Sequence, residues 1–287
     1  MLSVTVLVVA FLGYMVAVDP APATRAADAR PGTVRAGGPT VTPPATAVPG
    51  PAPAFDPAHL MAPDRKYLGV AVAGAPRSMA GVHAFARVMR ARPNIITIYE
   101  AFGDGFAAAE VRRTYAYGAL AIVRWEPFDA TLADIAAGRH DAYVTAFAEG
   151  VRALNLPIAL TFAHEMNGFW YPWGAPRNEA RDFVRAWRRL HAIFGQVGAT
   201  NVIWAWTPNV ISGAPRVDLA PLYPGDAYVD WIGLDGYYTR NGARTYRELF
   251  GPTMKHIGRF TKRPFLIVET GAEPGPGRAA AVRDLFD

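Results

Sequence analysis

The sequence predicts an α/β fold: a (β/α)8 barrel of the TIM type that lacks its eighth βα unit at the C-terminus. Three observations predict it. From Tyr67 onward, short β-rich runs alternate with helical patterns. The runs are almost continuously apolar, as parallel strands covered on both faces are. Polar and aromatic residues collect just past the run ends, at Glu126, His164-Glu165, Asn209, Asp235, Tyr237 and Glu269, where a barrel places its active site. The rival architecture is an open, doubly wound sheet. A dinucleotide-binding version of it needs G-x-G-x-x-G after its first strand. Here the first run leads into Gly74-Ala75-Pro76-Arg77-Ser78, and no phosphate-loop pattern occurs elsewhere.

The expected strands are Tyr67–Ala73, Asn94–Tyr99, Leu120–Trp125, Pro157–Phe162, Asn201–Trp206, Val229–Leu234 and Pro264–Val268. Helical patterns cover Met79–Met89, Ala107–Tyr117, His140–Leu154, Asn178–Val197, Tyr246–Phe260 and Arg278–Phe286. The clearest is Asn178–Val197. Phe183, Val184, Trp187, Leu190, Ile193 and Phe194 form one stripe, and Arg181, Arg185, Arg188 and Arg189 lie mostly off it, the pattern of a helix with one buried face. An eighth unit would need roughly 30 further residues. Without it, Tyr67–Ala73 and Pro264–Val268 should be unpaired sheet edges, and the apolar face of the last helix should lack a neighbour. A strand hidden in the spacer near Val34–Val48 is disfavoured, because prolines cannot donate to a ladder.

Composition narrows the chemistry. The 287 residues are 51% hydrophobic and 18% charged, too apolar to stay disordered. Cysteine is absent, which excludes disulfides, thiolate metal sites and a cysteine nucleophile. The net charge is +5, but the only lysines are Lys66, Lys255 and Lys262, and the arginines are scattered. No basic stripe points to nucleic acid. His164-Glu165 opens H-E-x-x-H, yet position 168 is Gly, so the zinc-protease reading fails. With 6 scattered histidines, neither a metal nor another cofactor is expected. No G-x-S-x-G elbow occurs either.

The chain divides into residues 1–18, 19–62 and 63–287. Leu2–Val18 is apolar apart from Ser3, Thr5, Gly13 and Tyr14. It reads as a cleaved signal peptide or a retained membrane anchor, so the protein is expected to be exported. Small-residue cleavage candidates follow at Ala21-Pro22-Ala23 and Ala27-Asp28-Ala29. Asp19 to about Ala62 is rich in Pro, Ala, Gly and Thr without apolar period, and reads as an extended spacer. One folded domain follows. The sequence leaves the oligomeric state open.

Two carboxylates stand out. Glu165 follows the run ending at Phe162, and Glu269 follows Phe265–Val268. A carboxylate at a strand end is costly to bury without a role. Across a barrel mouth the two can converge, and carboxylates about 5 Å apart perform retaining glycoside hydrolysis. The plainer alternative is that each pairs with an arginine and closes the barrel top. The segment His164-Glu165-Met166-Asn167-Gly168-Phe169-Trp170-Tyr171-Pro172-Trp173-Gly174 crowds aromatics beside Glu165. Aromatic faces are platforms for sugar rings. Trp125, Trp204, Trp206, Tyr237 and Tyr238 add rings at other strand ends, each equally readable as barrel packing.

The block His164-Glu165-Met166-Asn167-Gly168 with Trp170 and Trp173-Gly174 resembles the acid/base signature of family 26 glycoside hydrolases, the β-mannanase family. Val268-Glu269-Thr270-Gly271 resembles that family's nucleophile segment. Trp125-Glu126-Pro127, Trp204-Ala205-Trp206-Thr207-Pro208-Asn209 and Asp230-Trp231-Ile232-Gly233-Leu234-Asp235-Gly236-Tyr237 are also similar. The likeness runs from about Tyr67 to Gly271. It implies that Glu165 is the acid/base and Glu269 the nucleophile. Tyr237 would then donate a hydrogen bond to the nucleophile, and His164 and Trp170 would line the subsite of cleavage. Trp173, Trp125, Trp206 and Asn209 join them as candidate substrate-binding residues. The expected partner is a β-1,4-linked polysaccharide, mannan first, with mixed-linkage β-glucan and β-1,3-xylan next. A polysaccharide-binding or export accessory protein on a truncated barrel is the second reading.

Overall fold

The computed structural model describes residues 7–10, 55–61, 66–211 and 217–285. It is a closed barrel of parallel strands in the order β1 to β8. These are β1 (Leu7–Ala10), β2 (Leu68–Ala71), β3 (Ile95–Ala101), β4 (Leu120–Glu126), β5 (Ile158–Phe162), β6 (Val202–Trp206), β7 (Trp231–Tyr238) and β8 (Phe265–Ala272). Strands β2 to β8 are the runs expected from sequence.

The closure corrects the expectation of two open edges. Leu7 to Ala10 pair in register with Leu68 to Ala71 on one side. On the other, Leu7 pairs with Ile267 and Val9 with Thr270. An N-terminal segment therefore occupies the eighth place in the sheet. A leader peptide and a parallel strand covered on both faces present the same unbroken apolar run, so the pattern around Val8-Val9 does not distinguish them. The spacer reading for residues 19–54 and the strand considered near Val34–Val48 lie outside the described residues.

The helices are α1 (Ala58–Met61), α2 (Ala80–Met89), α3 (Ala108–Tyr117), α4 (Leu132–Ala136), α5 (Asp141–Leu154), α6 (Ala180–Val197), α7 (Tyr246–Leu249), α8 (Gly251–Ile257) and α9 (Arg278–Asp284). In α6 the expected stripe is the buried one, and Gly198 ends the helix at φ 79°, a left-handed conformation that glycine adopts without strain. The pattern read as one helix over Tyr246–Phe260 is two, with Pro252 in the first turn of the second. Proline has no N–H to continue the preceding ladder. Helix α1 falls inside the expected spacer. Its Leu60 and Met61 pack on an inner cluster of Tyr67, Ile95, Ile122, Trp231 and Leu266.

Strand alternation sorts the rest. On β4, Leu120 and Ile122 join the inner cluster, while Ala121, Val123 and Trp125 join the outer cluster under the helices. On β6, Ile203 and Ala205 go inward, and Trp204 and Trp206 outward. The period of two therefore carries Arg124 and Glu126 inward, above Ile122, at the C-terminal mouth.

Strand β8 breaks that period. Leu234 pairs with Ile267, but Asp235 pairs with Glu269, so Val268 is an extra residue. Leu266 and Val268 both face the inner cluster, and unbroken alternation would send Glu269 outward. The bulge re-aims it inward, as bulges beside active sites do.

Candidate active site

Arg124 sits at the centre of the mouth, wholly buried. Its Nη1 donates to Glu269 Oε2 at 2.6 Å, and its Nη2 donates to Asp235 Oδ2. Burial alone would lower its pKa, but Asp235 and Glu269 outweigh that and hold it well above the usual value. A buried cation is tolerated only with such partners. Asp235 is raised by burial and by the charges of Glu269 and Glu165, with Arg124 opposing. The Tyr99 hydroxyl, at the end of β3, donates to Glu269 Oε2 at 3.0 Å. Glu269 is thus held by a guanidinium and a phenol.

Glu165 is held differently. It follows β5 on a backbone whose φ is 54°, and Ala163 has φ 47°. Two non-glycine residues in the left-handed region is a strained arrangement of the kind that clusters at functional sites. The Glu165 N–H donates to the Thr207 carbonyl at 2.7 Å, which anchors the turn to β6. Trp170 Nε1 donates to Glu165 Oε2 at 2.5 Å, and Asn209 Nδ2 donates to Glu165 Oε1. Asn209 is itself fixed, since Asn167 Nδ2 donates to its carbonyl at 2.9 Å and its own N–H donates to Asn167 Oδ1 at 2.9 Å. Burial raises the pKa of Glu165, against the Asn209 hydrogen bond, Arg124 and the Trp170 hydrogen bond, while the charge of Glu269 adds to the rise.

The glycines of this loop have a steric cause. A Cβ on Gly168 would meet the Trp170 ring at 2.5 Å, and one on Gly174 would lie 2.1 Å from the Gly168 carbonyl oxygen. Trp170 therefore lies directly over Gly168, 38% exposed as a residue and with its N–H on Glu165.

The structure brings Glu165, Glu269, Trp170 and Asn209 together and separates the other candidates. Trp125 and Trp206 are fully buried on the outward faces of β4 and β6. Trp125 stacks on Phe147 at 4.2 Å, and Trp206 packs edge-on against Tyr223 at 5.2 Å, so neither is a sugar platform. Trp173 is buried as well. It stacks on Tyr171 at 4.4 Å, and its Nε1 donates to the His164 carbonyl at 2.7 Å. It braces the loop rather than facing the cleft. His164 is buried, edge-on to Tyr171 at 4.9 Å. Burial and Arg124 hold its pKa well below the usual value, so it is a neutral imidazole behind the cleft. Tyr237 pairs with Gly271 across β7 and β8 and lines a cavity of about 960 Å3 beside α9. The phenol on Glu269 is that of Tyr99.

Sequence reasoning missed Arg124 and Tyr99. The signal for Arg124 was an arginine inside the apolar run Leu120–Trp125. Tyr99, at the end of an apolar run, had no such distinguishing mark.

The sequence model of glycosyl hydrolase family 26 matches residues 133–260. Endoglucanase H of Acetivibrio thermocellus is 30% identical over 184 residues, covering 60% of this chain and 20% of that protein. A mannan endo-1,4-beta-mannosidase of Bacillus subtilis is 29% identical over 144 residues, covering 46% of this chain and 36% of that one. Over these segments the chain is similar to glycosyl hydrolase family 26. It spans only a fifth to a little over a third of these two relatives. Family 26 folds agree with the barrel. A beta-mannanase from a symbiotic protist of the termite Reticulitermes speratus, complexed with gluco-manno-oligosaccharide, is 19% identical with TM-score 0.57, covering 73% of this chain and 76% of that one. The family 26 domain of an endo-beta-mannanase/endo-beta-glucanase from Prevotella bryantii is 17% identical with TM-score 0.58, covering 78% and 83%. At these identities the likeness concerns the fold.

Proposed function

We propose that the protein is a retaining endo-glycoside hydrolase acting on a β-1,4-linked polysaccharide, mannan first. One observation carries the mechanism. At the mouth of one barrel, one glutamate is desolvated with its pKa raised, and another is paired with a guanidinium. Glu165 is desolvated and its pKa raised, which suits an acid that must protonate a leaving oxygen. Glu269 is paired with Arg124 at 2.6 Å and accepts from Tyr99, which suits a carboxylate nucleophile. In this reading Glu165 protonates the glycosidic oxygen while Glu269 attacks the anomeric carbon. A glycosyl ester forms, and the alcohol leaves. Glu165, now ionised, takes a proton from water, which hydrolyses the ester with net retention. Trp170 keeps Glu165 oriented and offers its exposed ring to the sugar.

The relatives' names support a β-linked glycan substrate. Mannan endo-1,4-beta-mannosidases and an endoglucanase are among them, and a beta-1,3-xylanase of Alcaligenes is 26% identical over 121 residues. The test is release of reducing ends from mannan, mixed-linkage β-glucan and β-1,3-xylan. Mannan should be cleaved fastest, with internal cuts. No release from any of them would overturn the reading.

A further inference from the structure

The mechanism above leaves the carboxylate of Glu126 unused. Glu126 is the last residue of β4, in the inward row above Ile122 and Arg124. Its side chain is 13% exposed, so it is desolvated but open to the cleft. Among the described residues, none pairs with it at hydrogen-bond length. The guanidinium of Arg124 is taken by Asp235 and Glu269. His164 Nε2 stands 3.8 Å from Glu126 Oε1, beyond hydrogen-bond length, and it faces Tyr171 Oη at 3.2 Å.

A mostly buried carboxylate without a strong donor is costly, and its two oxygens can accept several hydrogen bonds. Hydroxyl groups supply such bonds, and a carboxylate takes them more strongly than a neutral acceptor does. The position is shared with the reacting pair. The charges of Glu165, Glu126 and Glu269 all act on Tyr171, and burial together with the charge of Glu269 pushes Glu126 up to about 7 against the pull of Arg124.

We propose that Glu126 is a substrate-contacting specificity residue, whose carboxylate accepts hydrogen bonds from adjacent hydroxyls of the hexopyranose ring bound beside Glu269. This rests on the glycoside hydrolase reading, and it assigns the recognition of ring hydroxyls to a residue that takes no part in bond cleavage. Hydroxyl donors in the bound complex replace the water that burial removed, so the ionised form of Glu126 is favoured by substrate.

Mannotetraose and cellotetraose titrated calorimetrically into the full chain carrying Glu165→Gln test it, because that background preserves the sugar. Adding Glu126→Gln keeps the shape and removes the charge. Binding of at least one tetraose should weaken roughly 10- to 100-fold, the range for a hydrogen bond to a charged group, with a melting temperature no lower than that of the background. Adding Glu126→Asp instead should recover part of the loss, which a merely structural role would not produce. Binding within twofold of the background for both sugars would overturn the proposal, and so would a background that binds neither. Hydrolysis by the unmodified chain is measured separately. Absent hydrolysis with a Glu126-dependent loss of binding would sink the enzyme reading and leave this assignment standing.

Discussion

Asp235 and Glu269 stand opposite one another across β7 and β8, and both carboxylates pair with the single guanidinium of Arg124. The bulge at Val268 makes this possible, because it turns Glu269 to the inner face that Asp235 already occupies. The pairing of these two carboxylates is set by one extra residue in one strand.

Arg124→Met should therefore do more than remove a contact. It would leave two carboxylates facing each other in a desolvated mouth, and removing one partner of a buried ion pair costs about 3–5 kcal/mol. The variant should melt well below the parent and be inactive at temperatures where it is still folded. Arg124→Lys should recover stability but not full activity, since an ammonium cannot bridge two carboxylates as a planar fork does. Thermal melts alongside turnover measure both. A fully stable and active Arg124→Met protein would refute the bridging role.

The pH profile follows from Glu165. Burial raises its pKa, and the acid is competent only while protonated, so kcat/KM should fall as pH rises through that raised value. Trp170 donates to the carboxylate and favours its charged form. Trp170→Phe removes that bond, so the pKa should rise further and the alkaline limb should move to higher pH, even as the rate drops. A limb that stays in place or moves to lower pH would contradict the assignment of Glu165 as acid.

Glu100 makes a stability prediction. It is buried, its Oε1 accepts from the Ala107 N–H at 2.7 Å, and its Oε2 is unpartnered. Burial pushes it up to about 8 from 4.5. Below the unfolded value both states are protonated and no penalty exists. Between 4.5 and about 8 the unfolded chain binds fewer protons than the folded one, so stability falls as pH rises. Glu126, at about 7, adds to the same slope. Melting temperature should decline across this window, and Glu100→Gln should flatten the decline. An identical slope in the variant would show that Glu100 does not titrate as described.

The elements and the two glutamates were legible in the sequence because periodicity and local motifs suffice for them. The stripe Phe183, Trp187, Leu190, Phe194 needs only a helix, and His164-Glu165 beside aromatic residues needs only a strand end. What was not legible depended on parity or on partners. Trp125 and Trp206 were expected at the cleft, but the inward row of β4 runs Leu120, Ile122, Arg124, which sends Trp125 out. Which residue of a buried strand faces inward is invisible when both faces are apolar. Tyr99 rather than Tyr237 reaches Glu269, and nothing in the sequence marks which of the two rings meets the carboxylate. Pro252 divides a helix whose apolar spacing continues through it.

The placement of Leu7–Ala10 between β2 and β8 also predicts an outcome. A chain lacking residues 1–12 exposes two parallel edges, which is destabilising and favours aggregation, so it should melt below the full chain. The same residues cannot be both removed as a leader and retained in the sheet. N-terminal sequencing of the mature protein should therefore find Leu7–Ala10 present. A mature chain that starts beyond Ala10 and melts like the full one would refute this closure of the barrel.

Glu269 should form a bond to sugar, while Glu165 only moves protons. Incubation with an activated 2-deoxy-2-fluoro-β-mannoside, which slows hydrolysis of the glycosyl ester, followed by proteolysis and mass analysis, tests it most directly. One fluorosugar should be found on the peptide that carries Val268-Glu269-Thr270, with the ester on Glu269. A label on Glu165, Glu126 or Asp235 would contradict the account, as would an enzyme that hydrolyses mannan but releases the inverted anomer.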